Sequence, residues 1–244
     1  MSAVNLAQAA ETIEGWIARG ERRYVCVTGM HGVMECQADP DLRRIHNRAG
    51  MVTPDGMPMV WLSRLYGRRS VSRVYGPDLL LEMCQRSLQA GYSHYFYGGA
   101  AGIPERLAER LQQRFPDLQV AGTYSPPFRS LTVQEDAQIV ERINASGAAI
   151  LWVGLSTPRQ ERWMAEHLGR IAVPVMVGVG AAFDFHAGAK RQAPRWMQRS
   201  GLEWLFRLAT EPKRLWRRYL TNIPRFLWLV ILQTLKIKQF SLEE

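Results

Sequence analysis

Apolar residues recur along the chain in strand-length runs, and most runs lead into a glycine-containing turn and a segment of helical spacing. The three clearest units are SHYFYGGAAGIPERLAERLQQRF, AAILWVGLSTPRQERWMAEHL and VPVMVGVGAAFDF. Nearer the N-terminus, the pattern predicts strands at RRYVCVTG, MVT and VSRVYG, and helices near residues 4–19, 39–49, 57–66 and 76–91. Strands that alternate with helices predict an α/β fold with a mostly parallel sheet and helices on both faces.

The pattern changes near Ala193, after which no strand–glycine–helix unit occurs. The remaining sequence predicts two or three short helices, broken at Glu211-Pro212 and at Ile223-Pro224. Basic side chains interleave there with Trp, Leu and Phe, which is typical of a helix in a membrane interface. We therefore predict a domain over residues 1–192 and a short, basic, helical, membrane-associating appendage over 193–244.

Charge is concentrated in the same C-terminal segment. The chain of 244 residues has a net charge of +9. Residues 190–244 hold twelve basic and four acidic side chains, a net charge of +8, which leaves about +1 for residues 1–189. The longest strongly apolar run near the C-terminus, FLWLVIL, is far shorter than the roughly 20 residues of a spanning helix.

Cysteine usage and the first residues suggest a reducing compartment. The three cysteines are odd in number and form no CxxC motif, so neither a disulfide framework nor a zinc site is indicated. The start MSAVNLAQAAETIEGW has no basic segment followed by an apolar one, and no signal peptide is expected.

Two glycine-containing turns are candidate ligand sites. GGAAGIPERL follows a strand and opens a helix, so Gly98, Gly99 and Gly102 are candidates for phosphate binding, or are needed only for the turn. GVGAAF is close to a dinucleotide fingerprint, but Phe183 stands at the third glycine position. A nicotinamide-dependent oxidoreductase is therefore a weak alternative.

The segment GLSTPRQERWM places Gln160, with Arg159 and Glu161 beside it, just after a buried-looking strand. These polar groups are well placed to hold hydroxyls or phosphates of a ligand. The simpler interpretation is a capped helix start, with Ser156 or Thr157 as cap and Gln160 or Glu161 completing a capping box.

Metal-binding patterns are weak. Asp39-Pro40-Asp41 is a DxD sequence of the kind that holds a metal in many sugar transferases, but Asp39 is explained more simply as a helix cap. The five histidines show no ligand spacing. No metal site and no cofactor are expected.

The acid in TPDGM is the strongest candidate for chemistry. Asp55 follows a short strand and is either a helix cap or a general base. In a parallel sheet it shares the strand-end edge with Thr28, Gly98 and Gln160, and open α/β sheets bind ligands at that edge.

The chain contains, in order between about Tyr24 and Arg225, the motifs TPDGMPMVW, YGGAAGIPERL, GLSTPRQERWM, GVGAAFDFHAGAKRQAPRWMQRSGLEWLFRL and EPKRLWRRYL. Through these motifs it resembles the WecG/TagA/CpsF glycosyltransferases, which build bacterial surface polysaccharides and wall polymers. The resemblance implies a Rossmann-like catalytic domain and an inverting, metal-independent transfer from a UDP-sugar to a polyprenyl-diphosphate-linked saccharide, with a β linkage formed. It also implies a cytoplasmic enzyme, peripheral on the inner face of the plasma membrane, whose appendage meets anionic lipids.

The resemblance assigns roles to individual residues. Asp55 falls on the family's general base, Thr28 on a site threonine at the end of the first strand, and Gln160 on the Gln of the PxQE motif. Arginines of the appendage close the site over the diphosphate, and the candidates in this chain are Arg207, Arg214, Arg217 and Arg218.

Two segments depart from the family pattern. Many members carry an Asn-containing run where this chain reads Thr28-Gly29-Met30-His31, and a DGYF-like segment where it reads SPPF. The donor sugar, the acceptor sugar and homo-oligomerisation stay open. A nucleic-acid-binding protein that uses the basic aromatic tail is the other alternative, but FLWLVIL is more apolar than a phosphate-tracking surface needs, and no nucleic-acid partner is expected.

Overall fold

Six parallel strands form the centre of the protein. The computed structural model describes residues 1–238 and 240. The strands pair in the order β2-β1-β6-β5-β3-β4, and every described pairing is parallel. Their bounds are β1 Arg23–Thr28, β2 Met51–Pro54, β3 His94–Gly98, β4 Val120–Tyr124, β5 Ile150–Gly154 and β6 Val175–Gly178. All six carboxyl ends therefore lie at one edge of the sheet, and the predicted α/β, Rossmann-like fold is confirmed.

Helices cover both faces of the sheet. Their bounds are α1 Leu6–Arg19, α2 Met30–Ala38, α3 Pro40–Arg48, α4 Met57–Leu65, α5 Gly76–Ala90, α6 Ile103–Arg114, α7 Val133–Ala145, α8 Arg159–His167, α9 Ala182–His186, α10 Arg195–Arg199, α11 Glu203–Thr210 and α12 Pro212–Thr234. Because side chains alternate along a strand, Trp152 of β5 packs with α1, α5, α6 and α9, while its neighbour Val153 packs with α7 and α8. Two apolar cores result, one on each face.

The predicted strand VSRVYG is wrong, because residues 71–75 have no regular secondary structure. Val71, Val74 and Tyr75 are buried, which explains the apolar pattern. The Val74 N–H donates to the carbonyl of Pro54 over 2.9 Å, just beyond the pairing of β2 with β1. The segment then turns into α5, where Pro77 lacks the N–H that a strand ladder needs.

Four elements were not predicted: α2, the edge strand β4, α7 and the short helix α9. All residues of β4 are only half-buried, and Gly122 packs where a Cβ would lie 2.6 Å from the ring of Tyr95. An edge strand of this kind lacks a continuous apolar run and so gives a weak pattern.

The C-terminal segment forms three helices, within the predicted number, but only one of the two predicted breaks occurs. The break at Glu211-Pro212 is confirmed, but α12 continues through Pro224 for 23 residues. Leu215, Tyr219 and Phe226 of α12 are buried, and Phe226 packs in a cluster with Met34 and Met59. This packing offsets the helix hydrogen bond that Pro224 cannot form.

Residues 239 and 241–244 of the predicted appendage lie outside the described residues. None of the described helices is long and apolar enough to cross a membrane.

Candidate active site

The carboxyl ends of the strands form the floor of a cleft of about 1530 Å³, and helices α11 and α12 form part of its wall. Thr28, Asp55, Gly99, Gly154 and Val179 line this floor. Cavities for a single small ligand usually measure about 300–1,000 Å³. The cleft therefore has room for two substrates at once.

Asp55 lies at this edge, and its carboxylate does not cap a helix. Its backbone N–H donates to the carbonyl of Thr28 over 3.1 Å, which extends the pairing of β2 with β1. Gly56 is the N-cap of α4, and no side chain caps that helix start. The Asp55 side chain is 31% exposed toward the cleft, while its Oδ1 is buried and accepts no hydrogen bond. The carboxylate is thus available to a ligand.

An ion-pair network that the sequence did not predict surrounds Asp55. The Arg73 guanidinium donates through Nε to the backbone carbonyl of Asp55 and through one terminal nitrogen to Glu203 over 2.5 Å. The same terminal nitrogen lies 3.8 Å from Asp55 Oδ1. Tyr75 donates its hydroxyl to the other Glu203 oxygen over 3.1 Å. Glu203 belongs to α11, so the network joins the sheet edge to the C-terminal helices.

The electrostatic environment raises the basicity of Asp55. Burial raises the pKa of its carboxyl to about 6, and the Glu203 charge adds to this rise. The charges of Arg73 and Arg207 and the backbone N–H of Gly76 oppose it. A carboxylate whose pKa is near 6 is ionised at neutral pH and is a stronger base than an ordinary aspartate.

Thr28 and Gln160 both line the cleft and are both buried. The Thr28 hydroxyl donates to the Cys26 carbonyl over 3.3 Å. Gln160 donates its Nε2 to Glu161 over 3.0 Å, and its buried Oε1 has no hydrogen-bond partner. The amide oxygen of Gln160 is therefore a free acceptor at the site.

The capped helix start predicted for residues 156–161 is wrong. Helix α8 begins at Arg159 with Pro158 as N-cap, and no side chain caps it. The Thr157 hydroxyl instead donates to the Glu161 carboxylate over 2.8 Å. The side chains of Gln160 and Glu161 are therefore buried beside the cleft and do not cap the helix.

The three candidate glycines occupy different places. Gly99 lines the cleft, whereas Gly98 and Gly102 are not among its lining residues. Gly98 has φ of +121°, and a Cβ there would lie 2.7 Å from the carbonyl carbon of Gly154. The turn therefore requires glycine at position 98 for its own backbone, and the ligand-facing part of the loop is Gly99 and Ala100.

The structure separates the four candidate arginines. Arg207, Arg214 and Arg218 line the cleft, but Arg217 is exposed, outside it, with its guanidinium 5.2 Å from the Trp216 ring centroid. Arg214 lies 2.7 Å from Glu211, which also pairs with Lys190. The Nε atoms of Arg207 and Arg218 are buried without a hydrogen-bond partner. These two guanidinium groups retain the most capacity to bind an anion.

His31, at the start of α2, is a further cleft residue that the sequence did not single out. Its Nδ1 lies 3.2 Å from the side-chain nitrogen of Asn222 of α12. Burial and the charges of Arg218 and Arg207 lower the pKa of His31 to about 4. A neutral imidazole therefore accepts the Asn222 amide hydrogen beside the two arginines.

The two remaining motifs have structural roles. Asp39 caps α3 by accepting the backbone N–H groups of Asp41 and Leu42 over 3.0 and 3.1 Å, as predicted, and it also binds Arg162. Phe183 packs edge-on against Phe96, with ring centroids 5.9 Å apart, and fills the third glycine position of the dinucleotide fingerprint. Among the described residues, no group of three or more His, Cys, Asp or Glu side chains could hold a metal ion.

A model of the family described as "Glycosyl transferase WecG/TagA/CpsF family" matches residues 1–240. The chain belongs to this family of glycosyltransferases. The resemblance that the motifs indicated is thus confirmed over almost the whole sequence, and neither a nucleic-acid-binding protein nor a nicotinamide-dependent oxidoreductase is favoured.

Three curated relatives share the name N-acetylglucosaminyldiphosphoundecaprenol N-acetyl-beta-D-mannosaminyltransferase. The Bacillus spizizenii protein is 32% identical over 197 residues, which cover 81% of this chain and 74% of the relative. The Bacillus subtilis protein is 28% identical over 202 residues, 83% of this chain and 76% of the relative. A Staphylococcus aureus protein is 30% identical over 194 residues, 79% of this chain and 73% of the relative.

Proposed function

We propose that this glycosyltransferase moves a sugar from a UDP-sugar to a polyprenyl-diphosphate-linked saccharide, with inversion at the anomeric carbon and formation of a β linkage. The observation that carries the proposal is that one cleft contains both a candidate base and candidate anion-binding groups. The carboxylate of Asp55, which has a raised pKa and no hydrogen bond at Oδ1, lies in the same cleft as two arginines with free Nε donors, Arg207 and Arg218.

The names of the relatives support particular substrates. They describe transfer of an N-acetylmannosaminyl group to N-acetylglucosaminyl-diphospho-undecaprenol. UDP-N-acetylmannosamine is therefore the first donor to test, and undecaprenyl-diphosphate-linked N-acetylglucosamine is the first acceptor. The volume of the cleft accommodates both sugars beside the nucleotide.

In the proposed mechanism Asp55 acts as general base. Its carboxylate takes the proton of an acceptor hydroxyl while the hydroxyl oxygen attacks the anomeric carbon. The bond from this carbon to the UDP oxygen breaks, and the electron pair leaves with UDP. Attack from the face opposite UDP inverts the configuration. Thr28 and the free Gln160 oxygen lie beside this reaction and are proposed to orient sugar hydroxyls.

Guanidinium groups are proposed to stabilise the departing diphosphate. Arg207, Arg214 and Arg218 of the C-terminal helices line the cleft together with Gly99. Planar guanidinium groups bind phosphate oxygens through paired hydrogen bonds, and such contacts strengthen as charge develops on the leaving group. This arrangement supports a metal-independent reaction without a cofactor.

We further propose that residues 1–192 form the catalytic domain and that residues 193–244 form an appendage that binds anionic membrane. One face of α12 is buried through Leu215, Tyr219 and Phe226. The opposite face exposes about half to two-thirds of each of three apolar side chains, Leu220, Trp228 and Ile231. Helical spacing puts Lys213 and Arg217 on this same face, where they can meet lipid phosphates beside the inserted apolar groups.

Serine substitutions at Leu220, Trp228 and Ile231 are expected to abolish flotation with vesicles that contain phosphatidylglycerol. The same change should remove activity on an acceptor embedded in vesicles while UDP binding is kept, because these side chains do not line the cleft. Val133→Ser is a matched control, since Val133 is 89% exposed on α7. Full flotation of the triple variant would contradict the membrane-facing role of α12.

The transferase proposal is tested by UDP release from a panel of UDP-sugars with undecaprenyl-diphosphate N-acetylglucosamine in vesicles, with and without EDTA. Release with UDP-N-acetylmannosamine and transfer of the sugar to the lipid, both unaffected by EDTA, are the expected results. Absence of release with every donor, from a folded enzyme that binds UDP by calorimetry, would contradict the proposed reaction.

A further inference from the structure

Arg73 lies between two carboxylates that belong to distant parts of the chain. Asp55 follows β2, whereas Glu203 opens α11. Arg73 and Glu203 are both largely buried, with side chains 15% and 13% exposed. An ion pair that is shielded from solvent is held more firmly than one on the surface. The geometry of this pair therefore bears directly on the carboxylate that we propose as the base.

The donors of Arg73 are divided unequally between the two acids. Its terminal nitrogen lies 2.5 Å from Glu203 but 3.8 Å from Asp55 Oδ1, and its Nε–H is used on the backbone carbonyl of Asp55. Tyr75 fixes this division, because its hydroxyl binds Glu203 and its ring centroid lies 3.9 Å from the guanidinium carbon. Arg73 consequently binds Glu203 directly, and the Asp55 carboxylate stays without a hydrogen bond at Oδ1.

We propose that Glu203 is a positioning residue for Asp55: it holds the Arg73 guanidinium away from the Asp55 carboxylate and so keeps that carboxylate free to accept a proton. The inference rests on the proposed role of Asp55 as general base. Without Glu203, the terminal nitrogen of Arg73 that binds Glu203 would lose its partner. The nearest other carboxylate is that of Asp55, with Oδ1 3.8 Å away. Direct pairing of Arg73 with Asp55 would then compete with the acceptor hydroxyl.

This arrangement links the base to the seating of the C-terminal helices. Asp55, Arg73 and Tyr75 lie on the sheet side of the cleft. Glu203 belongs to α11 and lies 130 residues after Arg73 in the sequence. The environment of the base is therefore complete only when α11 is in place. A chain whose C-terminal helices are displaced would retain Asp55 but pair it with Arg73.

The charged groups around Asp55 predict opposite effects for two substitutions. Arg73 and Arg207 and the Gly76 N–H lower the pKa of Asp55, while burial and Glu203 raise it. Glu203→Gln removes a raising charge and releases Arg73 toward Asp55, so the acid limb of the pH profile should move to lower pH. Arg73→Gln removes a lowering charge, so the acid limb should move to higher pH. A role in folding alone would not move the two limbs in opposite directions.

The test measures kcat/KM between pH 4.5 and 9 for the wild type, Glu203→Gln and Arg73→Gln. We expect shifts of about one pH unit, the size that one neighbouring charge produces, downward for Glu203→Gln and upward for Arg73→Gln. Glu82→Gln is the matched control, because Glu82 pairs with Arg86, a second arginine held by two acids, outside the cleft. Its profile should coincide with that of the wild type.

The same effect can be measured without turnover by following the carboxyl 13C resonance of Asp55 with pH. This resonance is identified as the one that disappears in Asp55→Asn. Glu203→Asp, one methylene shorter, serves if Glu203→Gln does not fold, and it should give a smaller downward shift. Unchanged titration, or shifts in the same direction for Glu203 and Arg73 variants, would overturn the inference. Correct shifts in a protein that transfers no sugar would instead show that the proposed function had failed.

Discussion

Replacement of Asp55 by asparagine is expected to lower kcat by about 10²–10⁴-fold, the usual contribution of a positioned general base. Asparagine has nearly the same shape, so the contact of the Arg73 Nε with the backbone carbonyl at position 55 is kept. The amide, however, cannot take the proton of an acceptor hydroxyl. UDP binding should be unchanged, because the groups proposed to hold the diphosphate lie on α11, α12 and the Gly99 turn.

Asp55→Asn is measured by UDP release at saturating donor and by calorimetric UDP affinity. Asp41→Asn is the matched control: Asp41 is the second acid of the DxD sequence, pairs with Arg44 at an exposed helix start and is outside the cleft. This control should retain full activity. Near-normal turnover by Asp55→Asn would refute the assignment of the base, whereas loss of activity in Asp41→Asn would favour the metal-binding interpretation of DxD.

The wild-type pH profile should agree with the same assignment. Burial raises the pKa of Asp55 to about 6, so its carboxylate is protonated below that pH and ionised above it. A general base works only in its ionised form. Activity should therefore fall as pH decreases through about 6, and this acid limb should be absent from the residual activity of Asp55→Asn.

The sequence could predict those features of the site that depend on a strand end. A short apolar strand followed at once by an acid places that acid at the carboxyl edge of a parallel sheet. Thr28, Asp55 and Gln160 could be grouped in this way, and all three line one cleft. The alternation of strands and helices likewise predicted the layers of the fold, because each layer has its own local periodicity.

Contacts between distant segments left no such local pattern. Arg73 lies in a segment whose apolar residues suggested a strand, and Glu203 lies at the start of a short helix. Nothing in either segment indicates that their side chains meet 2.5 Å apart. The raised pKa of Asp55 depends on burial and on the Glu203 charge, so it could not be predicted from the sequence.

Which arginines face the cleft depends on how α11 and α12 pack, and the sequence does not show this packing. Pro224 was expected to end a helix, so the residues before it could not be assigned to the same helix face as the residues after it. The continuous helix makes this assignment possible. Positions 217, 220, 228 and 231 then share the exposed face, while positions 214 and 218 turn toward the cleft.

Arg207→Ala and Arg218→Ala are each expected to lower kcat by about 10²–10³-fold, comparable to the loss of one preorganised group that stabilises developing charge. Both guanidinium groups face the cleft with a buried, unpartnered Nε. Arg214→Ala should have a smaller effect, because Glu211 already holds that guanidinium. Turnover and UDP affinity are measured together, since contacts that tighten on the departing diphosphate reduce kcat more than they weaken UDP binding.

Arg217→Ala is the control that separates the two faces of α12. With a short-chain acceptor in solution this variant should be as active as the wild type, because Arg217 is outside the cleft. With an acceptor in anionic vesicles its activity should fall modestly and depend less on salt, because a lysine or arginine near a charged membrane contributes only about 1 kcal/mol. A loss of about 10²-fold on the soluble acceptor would place Arg217 on the diphosphate instead, and would mean that α12 rotates when substrate binds.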